Sequence, residues 1–574
     1  MEAVPLRLLL FPSVQGLLTQ KNDSEDRVEE VIRIRVDANK ILLALVIMLI
    51  IIGGVALRLT PLADSQYPYL TDGLKEARYA EHISSTGTLA PETDANYANT
   101  HTTSTPAYDA MIALSSQITG ENAVFLIQKL VAPLAILTLL GTYIFATRIS
   151  NSGRVGLMAL MGMAAYGPFL MVTQASWKES LGFALIPFIF LTFYYRDNLR
   201  MRLISSFLIL FTPFVHHFVA LFVILVITFV ATSSFMLARK EKRLGMFNIL
   251  DAIIAFIAID EMIVYYSIVK LDRLEFLTPE NGLYLFIGLA MFFALGIYYL
   301  GSRCITSIGM KTLRIVFPIG LLVLVAINLM APIGLIDTTY LWAITPPFIA
   351  CLTLIIIGLM GIAIWASTMS DSKILYFSIL AAPFVLLVYA LIRGDDLIST
   401  QIIARTMDFA DLGILIGIGS LLVLLVKKRR QIPTMGIFSA VCALLILTVP
   451  MALDSEKYLG GRNSIYEFEI NGINWADEMR GTRPIDTDEH FMNVRYYSGD
   501  IEGQTLPRRI DMKQSFESKT TMMGSERWVT IGVKDLPYGW VVLNGTEFHQ
   551  RLNETNLLYV GGPADICIYV FIVP

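Results

Sequence analysis

Apolar runs long enough to cross a bilayer recur from Ile41 to Leu453 and then stop. A membrane helix needs about 20 such residues, and windows of this kind fall at 41–57, 124–147, 155–173, 180–195, 203–214, 217–237, 248–269, 283–300, 315–332, 341–366, 374–392, 409–426 and 435–453. The pattern predicts about thirteen spans. Two interruptions break it. The first, Arg58 to Thr105, is polar and carries Asp64, Asp72, Glu76, Glu81, Glu92 and Asp94 against Arg58, Lys75 and Arg78, far longer than a connector of a few residues. Within it a helix is expected from Asp72, with Thr71 or Asp72 as cap and Gly87 as stop. The second lies at Pro213 and His216, where the run from 203 to 237 must fold into a hairpin, because one continuous helix would put the basic cluster 239–243 on the wrong side. The first arm, about twelve residues, spans less than two thirds of the hydrocarbon core, so the break is expected in a protein-lined cavity.

Residues 454–574 lose the long apolar windows and read as a soluble α+β or α/β domain. Strands are expected at Ser464–Ile470, at the end of Pro484–Asp488, and at Trp528–Val533, Trp540–Leu543, Asn556–Val560 and Ile566–Ile572, with a helix over Gly472–Met479. The chain thus divides into segment 1–39, a membrane domain 40–453 with the loop 58–105, and a soluble domain 454–574.

Charge assigns the sides. Arg148 and Arg154, Arg196 to Arg202, Arg239 to Arg243, Arg303 to Arg314, and Lys427 to Arg430 occupy alternate loops, which the positive-inside bias makes cytoplasmic. The acidic loop, the turn at Lys178, the stretch 393–408 and the C-terminal domain then face outside together. Segment 1–39 mixes charges around a proline-broken apolar patch, Leu8 to Leu18, lacks the order of a signal peptide, and is expected to be cytoplasmic. At 55% hydrophobic, 16% charged and a mean hydropathy of +0.61, the chain is too apolar for a soluble globular protein. Its apolar spans point to a lipid bilayer, and a net charge of −4 offers no basic footprint for nucleic acid. Of the cysteines, Cys304, Cys351, Cys442 and Cys567, only the last lies in the C-terminal domain, so no disulfide closes there.

Several polar residues carry candidate chemistry. Asp72 at a positive helix end stays ionised, as a general base or metal ligand must be; the plainer role is a cap. Lys178 and Glu179 follow Trp177, where an interfacial anchor is the alternative. His216 and His217 sit at the hairpin apex, where an imidazole can bond a phosphate or a sugar hydroxyl; neighbours on a helix diverge by about 100°, so one faces a ligand and the other packs. Arg393 and Arg405, with Asp395, Asp396 and Asp408, offer forks for phosphate or a stapled loop. Asp260 and Glu261 are intramembrane acids, functional by default but without a named partner. Asn544-Gly-Thr and Asn553-Glu-Thr are glycan-acceptor patterns, and Asp486-x-Asp488 is either a cation site or a solvated turn.

An aspartate after the first span, the form Asp72-x5-Arg78-x4-Ile83-x3-Gly87, the segment led by Thr105-Pro106 and a second span ending Ala146-Thr-Arg148 resemble the N-terminal module of the GT-C membrane glycosyltransferases. They are most similar to the archaeal oligosaccharyltransferase and dolichyl-phosphate mannosyltransferase-like branch. The resemblance implies transfer of a sugar from a polyprenyl-phosphate or pyrophosphate carrier to a glycan or protein acceptor on the outer face. It makes Asp72, then Asp64, the base or metal ligand, and assigns Lys178, Arg393, Arg405, His216 and His217 to the donor phosphate. Two departures qualify it. Where the family has an acidic pair, only Glu179 stands here, beside Lys178; a Mg2+ or Mn2+ site built on Asp72 and Glu179 tolerates an ammonium poorly, which leaves metal independence open and favours a monophosphate donor. The Trp-Trp-Asp-Tyr-Gly motif that reads an asparagine sequon is absent, with only Asn474-Trp475-Ala-Asp477 as an echo. A polytopic transporter and a non-catalytic envelope-binding scaffold are the other classes. A transporter predicts inverted repeats, which the sequence does not display.

Overall fold

The computed structural model describes residues 38–90, 103–269, 282–302, 345–365, 372–393, 397–428, 431–454, 464–480, 485–488, 506–514, 520–530, 532–535, 539–564 and 567–572, with a few isolated positions between them. Segment 1–37, Glu92, Asp94, the span expected at 315–332, Asp395 and Asp396 lie outside the described residues. Among these, seven helices are long and apolar enough to cross a membrane, and a bent pair brings the number to eight.

The first span, α1 (Ala38–Arg58), is followed by the short α2 (Pro61–Asp64) and by α3 (Asp72–Thr86). Helix α3 buries Leu74, Ala77 and Ala80 at helical spacing and stops at Gly87, whose φ of 69° is the left-handed conformation that favours glycine. Thr71 stands at the cap position without a side-chain bond, and Asp72 is the first helical residue. Next come α4 (Ala107–Thr119) and α5 (Ala123–Lys129), which runs on into α6 (Val131–Ser150) as one span.

The run expected as a straight span at 155–173 is broken. Helices α7 (Gly153–Ala165) and α8 (Gly167–Gln174) meet at 62°. Gly167 is required there, since a Cβ would fall 1.9 Å from the Thr448 carbonyl, and its N–H donates to the Thr448 hydroxyl at 2.8 Å. Arg58 serves the carbonyls that the break releases. Its guanidinium donates to Met163 O at 2.7 Å, Ala164 O at 3.4 Å and Gly54 O at 2.9 Å, and its Nε to Thr173 Oγ1 at 2.8 Å. The residue read as the polar start of a loop is fully buried.

Helix α9 (Lys178–Tyr194) leads to the expected hairpin, α10 (Leu199–Val215) and α11 (His217–Lys240), with His216 extended between them. The first arm has 17 residues, about 25 Å, where the sequence suggested twelve. Its start was hidden because Arg202 is drawn into the bundle: Asp251 of α12 (Met246–Ile268) pairs with Arg202 at 2.6 Å and with Arg196 at 2.7 Å. The carbonyl of Pro213, released by the break, accepts from the Tyr266 hydroxyl at 2.8 Å. Helices α13 (Leu283–Ser302), α14 (Pro346–Trp365), α15 (Ser372–Arg393), α16 (Leu397–Lys428) and α17 (Gln431–Thr448) complete the described bundle.

The C-terminal domain opens on α18 (Glu467–Arg480), where alternation had suggested a strand at 464–470. The Glu469 carboxylate accepts the Tyr466 N–H at 2.9 Å, half of a capping box, and this local bond overrides the alternation. A four-stranded sheet follows, in the order β1 (Ile485–Asp486), β2 (Thr521–Ser525), β6 (Ile568–Ile572), β5 (Asn556–Gly561), with β1 parallel to β2 and the other pairs antiparallel. Strands β3 (Val533–Asp535) and β4 (Gly539–Val541) pair separately. The fully buried β2 was not expected, since Met and Gly are weak strand signals; the strand expected at Trp528–Val533 opens instead as a helical turn, Arg527–Thr530. Leu74 and Ala77 of α3, with Tyr108 and Ile112 of α4, share one apolar core with Ile470, Ile473, Ile485 and Val570 of this domain.

Arg58→Met removes four donor contacts and strands buried acceptors that cost about 1–3 kcal/mol each. The expected outcome is a loss of several kcal/mol in detergent unfolding, only partly recovered by Arg58→Lys, whose ammonium lacks the fork.

Candidate functional site

Two helix N-termini meet under the loop. Asp72 is the first residue of α3 and Glu179 the second of α9, positions where the positive end of a helix favours a carboxylate. Asp72 remains half exposed, 3.5 Å from Lys75. Glu179 is 2% exposed; its Oε2 pairs with the Arg405 guanidinium, its Oε1 lies 3.5 Å from His216 Nε2, and Asp72 is close enough to act on it electrostatically. The Arg405 guanidinium carbon stands over the Trp177 ring, 4.1 Å from its centroid. Asp408, one turn further along α16, interacts with both Arg405 and Glu179. Five side chains from four parts of the chain thus converge: Asp72, Trp177, Glu179, His216 and Arg405.

Lys178 faces elsewhere, and its assignment to a donor phosphate is corrected. Its ammonium is buried and bound to Asp109 Oδ2 at 2.7 Å, Glu76 Oε2 at 3.1 Å and the Thr105 carbonyl at 2.9 Å, so its three donors have three partners. Burial pushes the Glu76 carboxyl well above the usual carboxylate range, and the Asp109 charge adds to the effect against the pull of Lys178. Burial raises Asp109 as well, with Lys178 opposing. Burial thus works against both acids being charged beside a single ammonium.

The remaining candidates separate from this group. Asp64 is exposed at the end of α2. Arg393 closes α15, and no described contact joins it to Glu179. His217 is buried, packed on His216 at 4.3 Å and Phe218 at 4.5 Å, as expected for one member of the pair. Asp260 is exposed and Glu261 half-buried on α12. Asp486 pairs with Arg509 at 2.9 Å, and Asp488 accepts from the Trp528 indole at 2.6 Å, so the solvated turn is instead a built-in polar contact. Trp177 and Asp109 were missed as partners. A signal existed for Asp109, since a buried lysine requires an acid.

Among the described residues no three His, Cys, Asp or Glu side chains gather as metal ligands. Mg2+ and Mn2+ need several free oxygen ligands. Among the described residues the acids here are Asp72, Glu179 and Asp408, Asp408 lies beside Arg405, and both Glu179 oxygens already face Arg405 and His216. This donor set does not fit a resident divalent cation.

No family model and no curated relative matches the sequence. Among solved structures, the oligosaccharyltransferase AglB of Archaeoglobus fulgidus, held with an inhibitory peptide and a dolichol-phosphate, is 11% identical with a TM-score of 0.52, over 92% of this chain and 74% of that one. An apo structure of the oligosaccharyltransferase from the same organism is 10% identical with a TM-score of 0.50, over 80% and 64%. The likeness establishes the fold, the GT-C-like polytopic architecture with a soluble C-terminal domain expected from the sequence.

The Lys178 cluster makes a separable prediction. Lys178→Met leaves Asp109 buried without a counter-charge and costs about 3–5 kcal/mol, whereas Glu76→Gln, which imitates the protonated carboxyl, is tolerated. Because the folded pKa of Glu76 lies above its unfolded value, its contribution is complete below the unfolded value and is lost as pH rises through the folded one. Unfolding followed against pH is therefore expected to weaken toward alkaline pH in the wild type and less so in Glu76→Gln.

Proposed function

We propose that this chain, built on the fold of an oligosaccharyltransferase, transfers a sugar from a polyprenyl-phosphate carrier to an acceptor hydroxyl on the outer face of the membrane. The single observation that carries the proposal is the convergence of Asp72, Glu179, His216 and Arg405 under one loop, at the mouth of a membrane bundle. The dolichol-phosphate held by the structural relative supports a lipid-phosphate ligand here.

In the proposed step the acceptor oxygen attacks the anomeric carbon, the bond from that carbon to the phosphate oxygen breaks, and the carrier leaves as polyprenyl phosphate. Asp72, the half-exposed acid, takes the acceptor proton, because a hydroxyl is a poor nucleophile until deprotonated. Arg405 holds the phosphate oxygens through its guanidinium fork, which stands over the Trp177 ring, and His216 stays with Glu179 when the guanidinium turns to the donor. Glu179 keeps the guanidinium in place until the donor arrives. The basic loops on the opposite side support an outward orientation of the site. The acceptor class, a glycan or protein hydroxyl, is favoured over an asparagine by the missing sequon-reading motif.

The test is transfer of a radiolabelled sugar from polyprenyl-phosphate donors in membranes. Asp72→Asn is expected to reduce the rate by about 10²–10⁴-fold, the usual worth of a positioned base, and full activity in that variant removes its role. Arg405→Met is expected to raise KM for the donor. Activity is expected to persist in chelator, since Glu179 already has Arg405 as its counter-charge; loss in EDTA with rescue by Mn2+ rejects that part of the scheme.

A further inference from the structure

Asp72 and Glu179 lie on different elements, and their spacing depends on what joins the segments before them. Those segments, Tyr69–Asp72 and Gln174–Glu179, meet on Gln128 of α5. The Gln128 side chain is fully buried. Its Oε1 accepts the Tyr69 N–H at 2.8 Å and the Ser176 hydroxyl, and its Nε2 donates to the Gln174 carbonyl at 2.9 Å. The partners fix the orientation of the amide, because a backbone N–H must meet the oxygen and a carbonyl must meet the nitrogen. No other neutral side chain of this length offers two acceptor sites and an NH2 together. The two segments also touch directly, the Ser176 N–H donating to the Tyr69 carbonyl at 3.3 Å.

Two features show that the contact is tight. Gly73, next to Asp72, has no room for a side chain: a Cβ would stand 2.6 Å from Pro68 Cβ and 3.1 Å from the Ser176 carbonyl. Leu70, between the Gln128 contact and Asp72, holds a φ of 78°, a backbone conformation that a branched side chain adopts only when its surroundings impose it. Gln174 in turn donates to the Ala452 carbonyl at 2.7 Å, which ties the same loop to the end of the membrane domain.

We infer that Gln128 is a positioning residue that sets the distance between Asp72 and Glu179. It touches neither donor nor acceptor. Its effect on turnover rests on the transfer proposed above, while its effect on the two segments does not.

The experiment pairs two measurements on the purified full chain. Hydrogen exchange read by mass spectrometry is expected to speed up in Gln128→Met at 67–73 and at 174–179 together, with α11 unchanged. Under the transfer assay the same variant is expected to lose about 100-fold in kcat, the scale of a misplacement of about 1 Å, with KM for the donor within about twofold. Gln128→Glu, which keeps the acceptor but gives up the amide donor, is expected to fall between. Arg202→Met, at the opposite end of the bundle, is the control for general destabilisation, expected to lower the unfolding midpoint and leave kcat intact. Exchange that rises in only one segment, or in neither, overturns the clamp. A kcat in Gln128→Met equal to the wild type, or reduced no more than in Arg202→Met, overturns the positioning role. A wild-type chain that transfers no sugar removes the proposed function, and the exchange result still decides whether Gln128 joins the two segments.

Discussion

A helix that breaks inside an apolar bundle releases backbone carbonyls and N–H groups that no water can satisfy, and this fold depends on how it meets that demand. The bend between α7 and α8 survives because Arg58 reaches back from the end of the first span to Met163 and Ala164, while Thr448 meets Gly167. The break at His216 survives because Tyr266 bonds the Pro213 carbonyl. Each bend turns the chain where the site needs it. The first sends α8 toward Gln174 and Glu179, and the second brings His216 beside Glu179. Without the donors the helices would straighten, and the polar residues at their ends would face lipid.

Charge is divided between two clusters that share adjacent residues. Lys178 and Glu179 open the same helix but point about 100° apart, so one is enclosed with Glu76 and Asp109 while the other faces Arg405 and His216. The first cluster is closed, its three polar partners satisfying one ammonium. The second is open, with Asp72 half exposed and Arg405 about a quarter exposed. A closed cluster fixes geometry, and an open one can exchange a partner. Under the proposed transfer, placing the lysine in the closed set is what reserves the guanidinium for a ligand.

Much of this was legible in the sequence where local signals decide. Gly87 ended α3, and Pro213 with His216 broke the hairpin. The misses have a common cause. Lys178 meets Asp109 across 69 residues and Arg405 meets Glu179 across 226, distances over which neither periodicity nor charge counting carries information. Arg58 looked like the start of a polar loop because its acceptors are carbonyls, which every residue has. Strand β2 was missed because its position at the centre of a sheet, not its Met and Gly, holds it extended.

Under the proposed transfer, the Arg405–Glu179 pair explains why an anionic lipid is the ligand such a site selects. Separating a buried carboxylate from its counter-ion is costly unless both find new partners. A phosphate supplies one, taking the guanidinium fork that stands over the Trp177 ring, and His216, 3.5 Å from Glu179, stands ready to donate to the carboxylate left behind. A neutral lipid supplies none and leaves the pair closed. Selectivity for the donor's charge thus arises from the cost of opening an ion pair, and it needs no cation in the site.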